Sequence, residues 1–242
     1  MKALILAAGR GTRISRYLQG RPKCTVDIGG EQLIHYTVRT LIQKGVKDIR
    51  LVLGYRDDAV RRALADLDVG YYVNPFFDVT NSIASAWFAR EFIDGDMLMM
   101  NADVFAEGRL FDFILSRRCD CPTLFSDETR REEADYKLCY NESGLLEAYG
   151  KELDIERTTG EYIGIARVPA EFSGVFRDRL CEMILSQQHG VWWENVLYSL
   201  SSRIDIRACD IDARFWAEVD YVEDYDRILG YIRSRGTEDS GK

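Results

Sequence analysis

Arg10, Arg13, Arg21 and Lys23 gather four cationic side chains around the glycine pair Gly9 and Gly11. The chemistry of such a cluster is anion capture. Guanidinium and ammonium groups supply charge, and glycine lets several backbone N–H groups converge on one point. The apolar residues Leu4-Ile5-Leu6 read as a buried strand that breaks into Ala7-Ala8-Gly9, which puts the cations at a strand end. A polyphosphate is the simplest occupant. Two other phosphate loops are set aside: the Walker pattern needs Lys and a hydroxyl residue straight after its second glycine, where Thr12-Arg13 stand here. The dinucleotide fingerprint needs a third glycine opening a helix, and none has that spacing.

Carboxylates form the complementary set. Residues 96–100 read as a buried strand delivering Asn101-Ala102-Asp103 at its C-terminal end, the edge where open α/β sheets bind ligands. Glu218 and Asp220 are two positions apart in a strand-like stretch, so both side chains share one face and can point at the same cation. Asn74-Pro75 opens a loop in which Thr80, Asn81 or Ser82 can cap the next helix. A polar group at that helix start can hydrogen-bond a nucleobase or ribose, the candidate being Ser82, Ser85 or neither. Trp192 and Trp193 precede Glu194. Adjacent tryptophans cannot both face one core, so one reads as lining a pocket or interface. An aromatic face beside a carboxylate suits a cationic head group.

The elements that must position these groups follow from periodicity. Residues 32–44 have apolar positions at helical spacing and close on Gly45. Residues 49–53 and 69–73 read as strands and 57–66 as an amphipathic helix; this alternation implies a parallel sheet with right-handed crossovers. A helix over 109–118, a strand over 123–126 and a charged connector over 127–133 come next. Residues 136–140 and 145–149 flank the turn Asn141-Glu142-Ser143-Gly144 as a hairpin. Strands are predicted over 161–166 and 204–209, helices over 172–188 and from Trp192, and a last helix from 222, where Asp224 favours the helix dipole. His35 reads as a packed or surface histidine without a carboxylate partner.

Composition bounds the rest. The chain of 242 residues fits one α/β domain, and 46% hydrophobic with 30% charged residues is ordinary for a globular protein. A net charge of −8 argues against general nucleic-acid binding. Cys24, Cys119, Cys121, Cys139, Cys181 and Cys209 lack paired CxxC spacing, and the two histidines are far apart, which leaves zinc little support. Reduced thiols in a cytoplasmic enzyme are the expectation. No apolar run reaches membrane-span length, and the chain starts on a strand without a signal peptide. The tail from Gly236, small and charged, reads as disordered.

The run Ala7-Ala8-Gly9-Arg10-Gly11-Thr12-Arg13, followed by Arg21-Pro22-Lys23, resembles the signature of the nucleotidyltransferases that make sugar nucleotides and CDP-alcohols. Val26-Asp27-Ile28-Gly29-Gly30-Glu31-Gln32-Leu33-Ile34 resembles the apolar stretch and turn after that lysine, and weaker similarity continues through nearly the whole chain. The resemblance implies a Rossmann-like three-layer α/β fold: a mixed, mostly parallel sheet of the nucleotide-diphospho-sugar transferase type with a small antiparallel hairpin. It implies a single domain over 1–235, with a nucleotide-binding half to about 125, an acceptor-binding half beyond it, and a tail over 236–242.

It also implies roles. Leu6, Ala7, Ala8, Gly9, Arg10, Gly11, Thr12, Ser82 and Ala102 would hold the nucleotide. Lys23, Arg13, Asp103 and Asp220 would be the catalytic set, with Asp103 and Asp220 as Mg²⁺ ligands. Lys151, Tyr162, Trp193, Glu194 and Glu218 would face the acceptor. Within the family, Asn101-Ala102-Asp103, Asn81-Ser82, Tyr162-Ile163-Gly164-Ile165, Trp193-Glu194 and Glu218-x-Asp220 look most similar to the phosphocholine and 2-aminoethylphosphonate cytidylyltransferases. The implied reaction moves CMP from CTP to a small phosphorylated amino-alcohol or phosphonate and releases pyrophosphate, in a monomer or homodimer without nucleic acid or membrane insertion. A sugar-1-phosphate nucleotidyltransferase using UTP, dTTP or GTP is the alternative enzyme. A catalytically inactive nucleotide-binding regulatory subunit is the alternative of another class.

Overall fold

Lys2–Ala7 (β1) is buried from Ala3 onward on both faces, so it can only be a central strand. In the computed structural model, which describes residues 1–11, 18 and 20–239 (235–239 as backbone), it lies in the middle of the main sheet. Asp48–Leu53 (β2) and Met97–Asn101 (β4) flank it in parallel, and Gly70–Val73 (β3) extends the β2 side. Beyond β4 come Gly160–Val168 (β9), Thr123–Asp127 (β6) and Arg207–Asp210 (β10), giving the order β10-β6-β9-β4-β1-β2-β3. Only β9 runs antiparallel to its neighbours along this path. Chain order reverses between β1 and β4, which places a topological switch point there. Paired Leu6 and Asn101 set the loops after β1 and β4 side by side, and Ala102 N–H donates to the Leu6 carbonyl at 3.1 Å.

Helices cover both faces. Leu33–Gln43 (α1) buries Ile34, Val38 and Leu41, one helical stripe, and Gly108–Ser116 (α4) buries Leu110, Phe111 and Ile114; both pack on Ile5, Leu51 and Met100. On the other face Ser82–Phe88 (α3) and Ala170–Leu185 (α5) pack Ile83, Ala86, Phe176 and Leu180 against Leu4, Val52 and Met99. The result is the three-layer arrangement implied by the resemblance. Asp57–Ala63 (α2) joins β2 to β3.

The antiparallel addition is a hairpin, Lys137–Tyr140 (β7) and Leu146–Gly150 (β8), with β7 pairing the start of β9. A separate two-stranded ladder joins Val104–Ala106 (β5) to Trp216–Glu218 (β11) and sets Glu218 opposite Val104, next to Asp103. Val219 N–H donates to the Asp103 carbonyl at 2.9 Å. The last helix, Val222–Asp239 (α7), closes a third apolar cluster of Val26, Phe105, Val219 and Ile228.

Three features depart from the sequence reading. The backbone of α7 continues through Gly236 to Asp239, into the stretch read as a tail. The helix predicted from Trp192 begins at Asn195 (α6, Asn195–Leu200), because Trp193 turns into the core and its N–H is held by Ser82 Oγ at 3.0 Å. His35 has two carboxylate partners, Glu31 at 2.5 Å and Asp66 at 3.1 Å; Glu31 lies four residues earlier, and Asp66 comes from the turn that follows α2. No helix among the described residues is long and apolar enough to cross a membrane, and all six cysteines are free.

Candidate active site

The loops after β1 and β4, the start of α3, β11, the hairpin and the segment before α6 surround one cavity of about 530 Å³. At its mouth Ala8, Gly9, Arg10 and Gly11 leave β1. Gly11 sits at φ +64°, and a Cβ there would collide with the Lys23 side chain, so glycine is what lets the loop and Lys23 share this space. The Arg10 guanidinium stands 5.3 Å from the Tyr55 ring centroid. Thr12 and Arg13 lie outside the described residues.

Lys23 opens a 3₁₀ turn, Lys23–Thr25, behind Pro22. Its ammonium pairs directly with Asp220 Oδ1 and lies 3.6 Å from Asp103 Oδ2. Burial opposes that charge, yet the Asp103 and Asp220 carboxylates outweigh it and hold the Lys23 pKa above its ordinary value. Asp103, Glu218 and Asp220 each offer an oxygen within 4.8 Å of the others. Burial, reinforced by the neighbouring carboxylates, raises the pKa of Asp103 even against Lys23, and that of Glu218 well above the ordinary range. Three carboxylates facing one ammonium leave an excess of negative charge. Hard oxygen donors converging this closely fit a divalent cation such as Mg²⁺.

Along the α3 side, Asn81 Oδ1 accepts the Ser82 N–H at 2.7 Å and fixes the helix start. Ser82 Oγ, on the cavity wall, accepts from Trp193 N–H and keeps its own proton to donate. Ser85 also lines the cavity but receives Asn74 Nδ2 at 3.0 Å. Leu6, Ala7 and Ala102 complete the floor.

The opposite end is aromatic. Tyr136 stacks on Tyr198 at 5.5 Å and meets Trp192 edge-on at 5.6 Å, with Tyr162 beyond. Gly164, at φ +75°, lets β9 bend where a Cβ would stand 2.8 Å from Val104 Cγ2. Glu194 is buried on this wall. Burial raises its pKa to about 8, although its own backbone N–H and Asn101 pull it down in part. Lys151 Nζ reaches Asp135 Oδ2 at 2.7 Å on the rim.

The structure thus brings Lys23, Asp103, Asp220, Glu218, Ser82, Lys151, Tyr162 and Glu194 to one cavity. Trp193 does not join them: it is fully buried, its Nε1–H held by Asn101 Oδ1 at 2.9 Å, and Trp192 is the tryptophan turned to the cavity. Glu218, read as an acceptor residue, stands in the carboxylate cluster as well. Sequence reasoning quoted Asn101 in its motif without the bridge it makes between Trp193 and Glu194, and it missed the wall residues Tyr136 and Tyr198. The four-residue interval from Glu194 to Tyr198, one helical turn, was the available signal for the last of these.

This fold and this site define a nucleotidyltransferase. The chain belongs to the MobA-like NTP transferase domain family, whose pattern matches residues 3–161. It is 24% identical to the CTP:phosphoglutamine cytidylyltransferase of Campylobacter jejuni over 93% of this chain and 97% of that one. Against the choline-phosphate cytidylyltransferase of Streptococcus pneumoniae it is 26% identical, covering 97% and 99%. A 34% identical match to the CMP-5'-(3-aminopropyl)phosphonate synthase of Streptomyces rubellomurinus covers 44% of this chain and only 18% of that longer protein. A solved structure of the CTP:phosphocholine cytidylyltransferase from Streptococcus pneumoniae shares the fold with a TM-score of 0.80 at 21% identity, covering 96% and 98%.

Proposed function

We propose that this enzyme transfers CMP from CTP to the phosphate or phosphonate of a small acceptor bearing a cationic amine, and that Mg²⁺ is its metal. One observation carries the reading: Lys23 and the Asp103–Glu218–Asp220 cluster share a single cavity with a wall of Tyr162, Trp192 and Glu194. The first set suits nucleotide phosphates and the second an ammonium group. The names of both full-length relatives support CTP as donor.

In this reading Arg10, Arg13 and the amides of the Gly9–Gly11 loop, with Thr12, grip the β- and γ-phosphates. Ser82 donates to the nucleoside, packed over Leu6, Ala7, Ala8 and Ala102. Asp103 and Asp220 would hold the Mg²⁺, which when bound supplies positive charge against the nucleotide phosphates. Lys23 exchanges part of its contact with Asp220 for the α-phosphate. An acceptor oxygen, oriented by Lys151 and the aromatic wall, attacks the α-phosphorus. The bond from that phosphorus to the bridging oxygen breaks, and pyrophosphate leaves with the electron pair. The acceptor phosphate is already anionic, so positioning and charge stabilisation suffice without a general base.

The test is pyrophosphate release with Mg²⁺, crossing CTP, UTP, dTTP, GTP and ATP against phosphocholine, phosphoethanolamine, 2-aminoethylphosphonate and glucose-1-phosphate. The reading predicts turnover with CTP and the amine acceptors. Turnover confined to glucose-1-phosphate would transfer the protein to the sugar-nucleotide enzymes, and no release with any pair would mark a regulatory subunit.

A further inference from the structure

We infer that the acceptor site is built for a primary ammonium, held through Tyr162 Oη and Glu194, in preference to a trimethylated one. The inference rests on the cytidylyl-transfer reading above and adds the chemistry of the acceptor's far end.

Two observations on opposite sides of the cavity lead to it. On the inner wall Tyr162 is 7% exposed and lines the cavity, and its hydroxyl oxygen, itself buried, has no hydrogen-bond partner. A buried hydroxyl is seldom left unpaired, because doing so forfeits its hydration without replacement. Glu194, 5% exposed, lines the same cavity and accepts from its own backbone N–H and, at 3.3 Å, from Asn101 Nδ2. A carboxylate has room for several more donors. The pocket therefore offers unused acceptors, and an ammonium brings three N–H donors.

On the outer wall the pattern reverses. A trimethylammonium donates no hydrogen bond and is drawn instead to an open aromatic face. The exposed aromatic face here is Trp192, 40% exposed. The chain's own Lys151 ammonium already stands over it, 5.3 Å from the ring centroid, and is paired with Asp135 at 2.7 Å. A methylated cation would have to displace Lys151 from this face, and it would leave the Tyr162 hydroxyl without a partner. Each penalty falls on the quaternary ligand and neither on the primary one.

The test uses the intact protein with CTP and Mg²⁺, and measures kcat/KM for phosphoethanolamine, its N-methyl and N,N-dimethyl forms, and phosphocholine. A stepwise fall is expected, reaching about tenfold or more from first to last, since a site built to hydrogen-bond its ligand rejects one lacking the donor. Tyr162→Phe should lower kcat/KM for phosphoethanolamine by about tenfold and for phosphocholine by a distinctly smaller factor. Phosphocholine turning over as well as phosphoethanolamine would overturn the inference and leave cytidylyl transfer standing. An equal loss for all acceptors in Tyr162→Phe would overturn the role of Tyr162. No turnover with any member would overturn the inference together with the reading beneath it. The wild-type series decides alone if the variant fails to fold.

Discussion

Lys23 and Asp220, 197 positions apart in sequence, are joined by a direct ion pair between Nζ and Oδ1. It ties the turn after the cationic loop to the end of β11, so the cationic and carboxylate parts of the site are in direct contact. In the proposed reading, entry of a nucleotide with its cation divides this pair. Lys23→Met therefore separates two effects. Turnover should fall by about 10²- to 10³-fold, the usual loss when a preorganised donor to the transition state is removed. Mg²⁺ should bind more tightly, because the carboxylates no longer share their charge with an ammonium. Kinetics and Mg²⁺-dependent thermal shifts of the variant and wild type check both parts.

Asp103→Asn and Asp220→Asn test the carboxylate cluster directly. Each should abolish Mg²⁺-dependent turnover, by about 10³-fold or more, while leaving the protein folded. Chelation with EDTA should silence the wild type in the same way, and added Mg²⁺ should restore it. The stabilising thermal shift produced by Mg²⁺ should be missing in both variants.

Glu194 gives the stability of the ligand-free protein a pH dependence of definite sign. Burial raises its pKa from 4.5 to about 8. A carboxylate raised on folding favours the folded state fully below 4.5, and that contribution is lost as pH rises through about 8. The Tm should fall across this window, and Glu194→Gln should flatten the fall. Melting curves of both proteins over the same pH series decide it.

His35 makes a second, independent contribution on the far side of α1. Burial pulls its pKa down, but the hydrogen bonds and charges of Glu31 and Asp66 prevail and raise it above the ordinary 6.5. A histidine raised on folding stabilises fully below 6.5, and the benefit disappears as pH rises through its folded pKa. The Tm difference between wild type and His35→Gln should therefore be largest in acid and shrink in alkali, with kcat unchanged.

Ser82→Ala removes the acceptor for Trp193 N–H as well as the proposed donor to the nucleoside. Stability should drop by about 1 kcal/mol, the usual net value of such a bond. KM for CTP should rise at the same time. A stability loss with KM unchanged would confine Ser82 to holding the segment before α6.

What the sequence conveyed depended on range. The βα alternation, the hairpin and the Gly9–Gly11 loop are local patterns, and the sheet that forms from them is mostly parallel. Alternation put Glu218 and Asp220 on one face and the resemblance paired Asp103 with Asp220, but Glu218 was read on the acceptor side and its place in the same cluster came only with the fold. Alternation alone did not tell which of two adjacent tryptophans enters the core. Trp193 does so because Asn101 and Ser82, on other elements, receive its N–H groups. The Asp66 partner of His35 and the Asn101 link to Glu194 are long-range contacts that no periodicity encodes. Gly236 looked like the start of a tail from composition, yet α7 carries its helical backbone past that point.

The most direct test of the central claim is ³¹P NMR of the protein with Mg²⁺, CTP and phosphoethanolamine. The account predicts loss of the acceptor's monoester signal and of all three CTP signals, with growth of a coupled pyrophosphate diester pair and of inorganic pyrophosphate in equal amounts. CTP left intact, or cleaved to CMP without the diester, would contradict it.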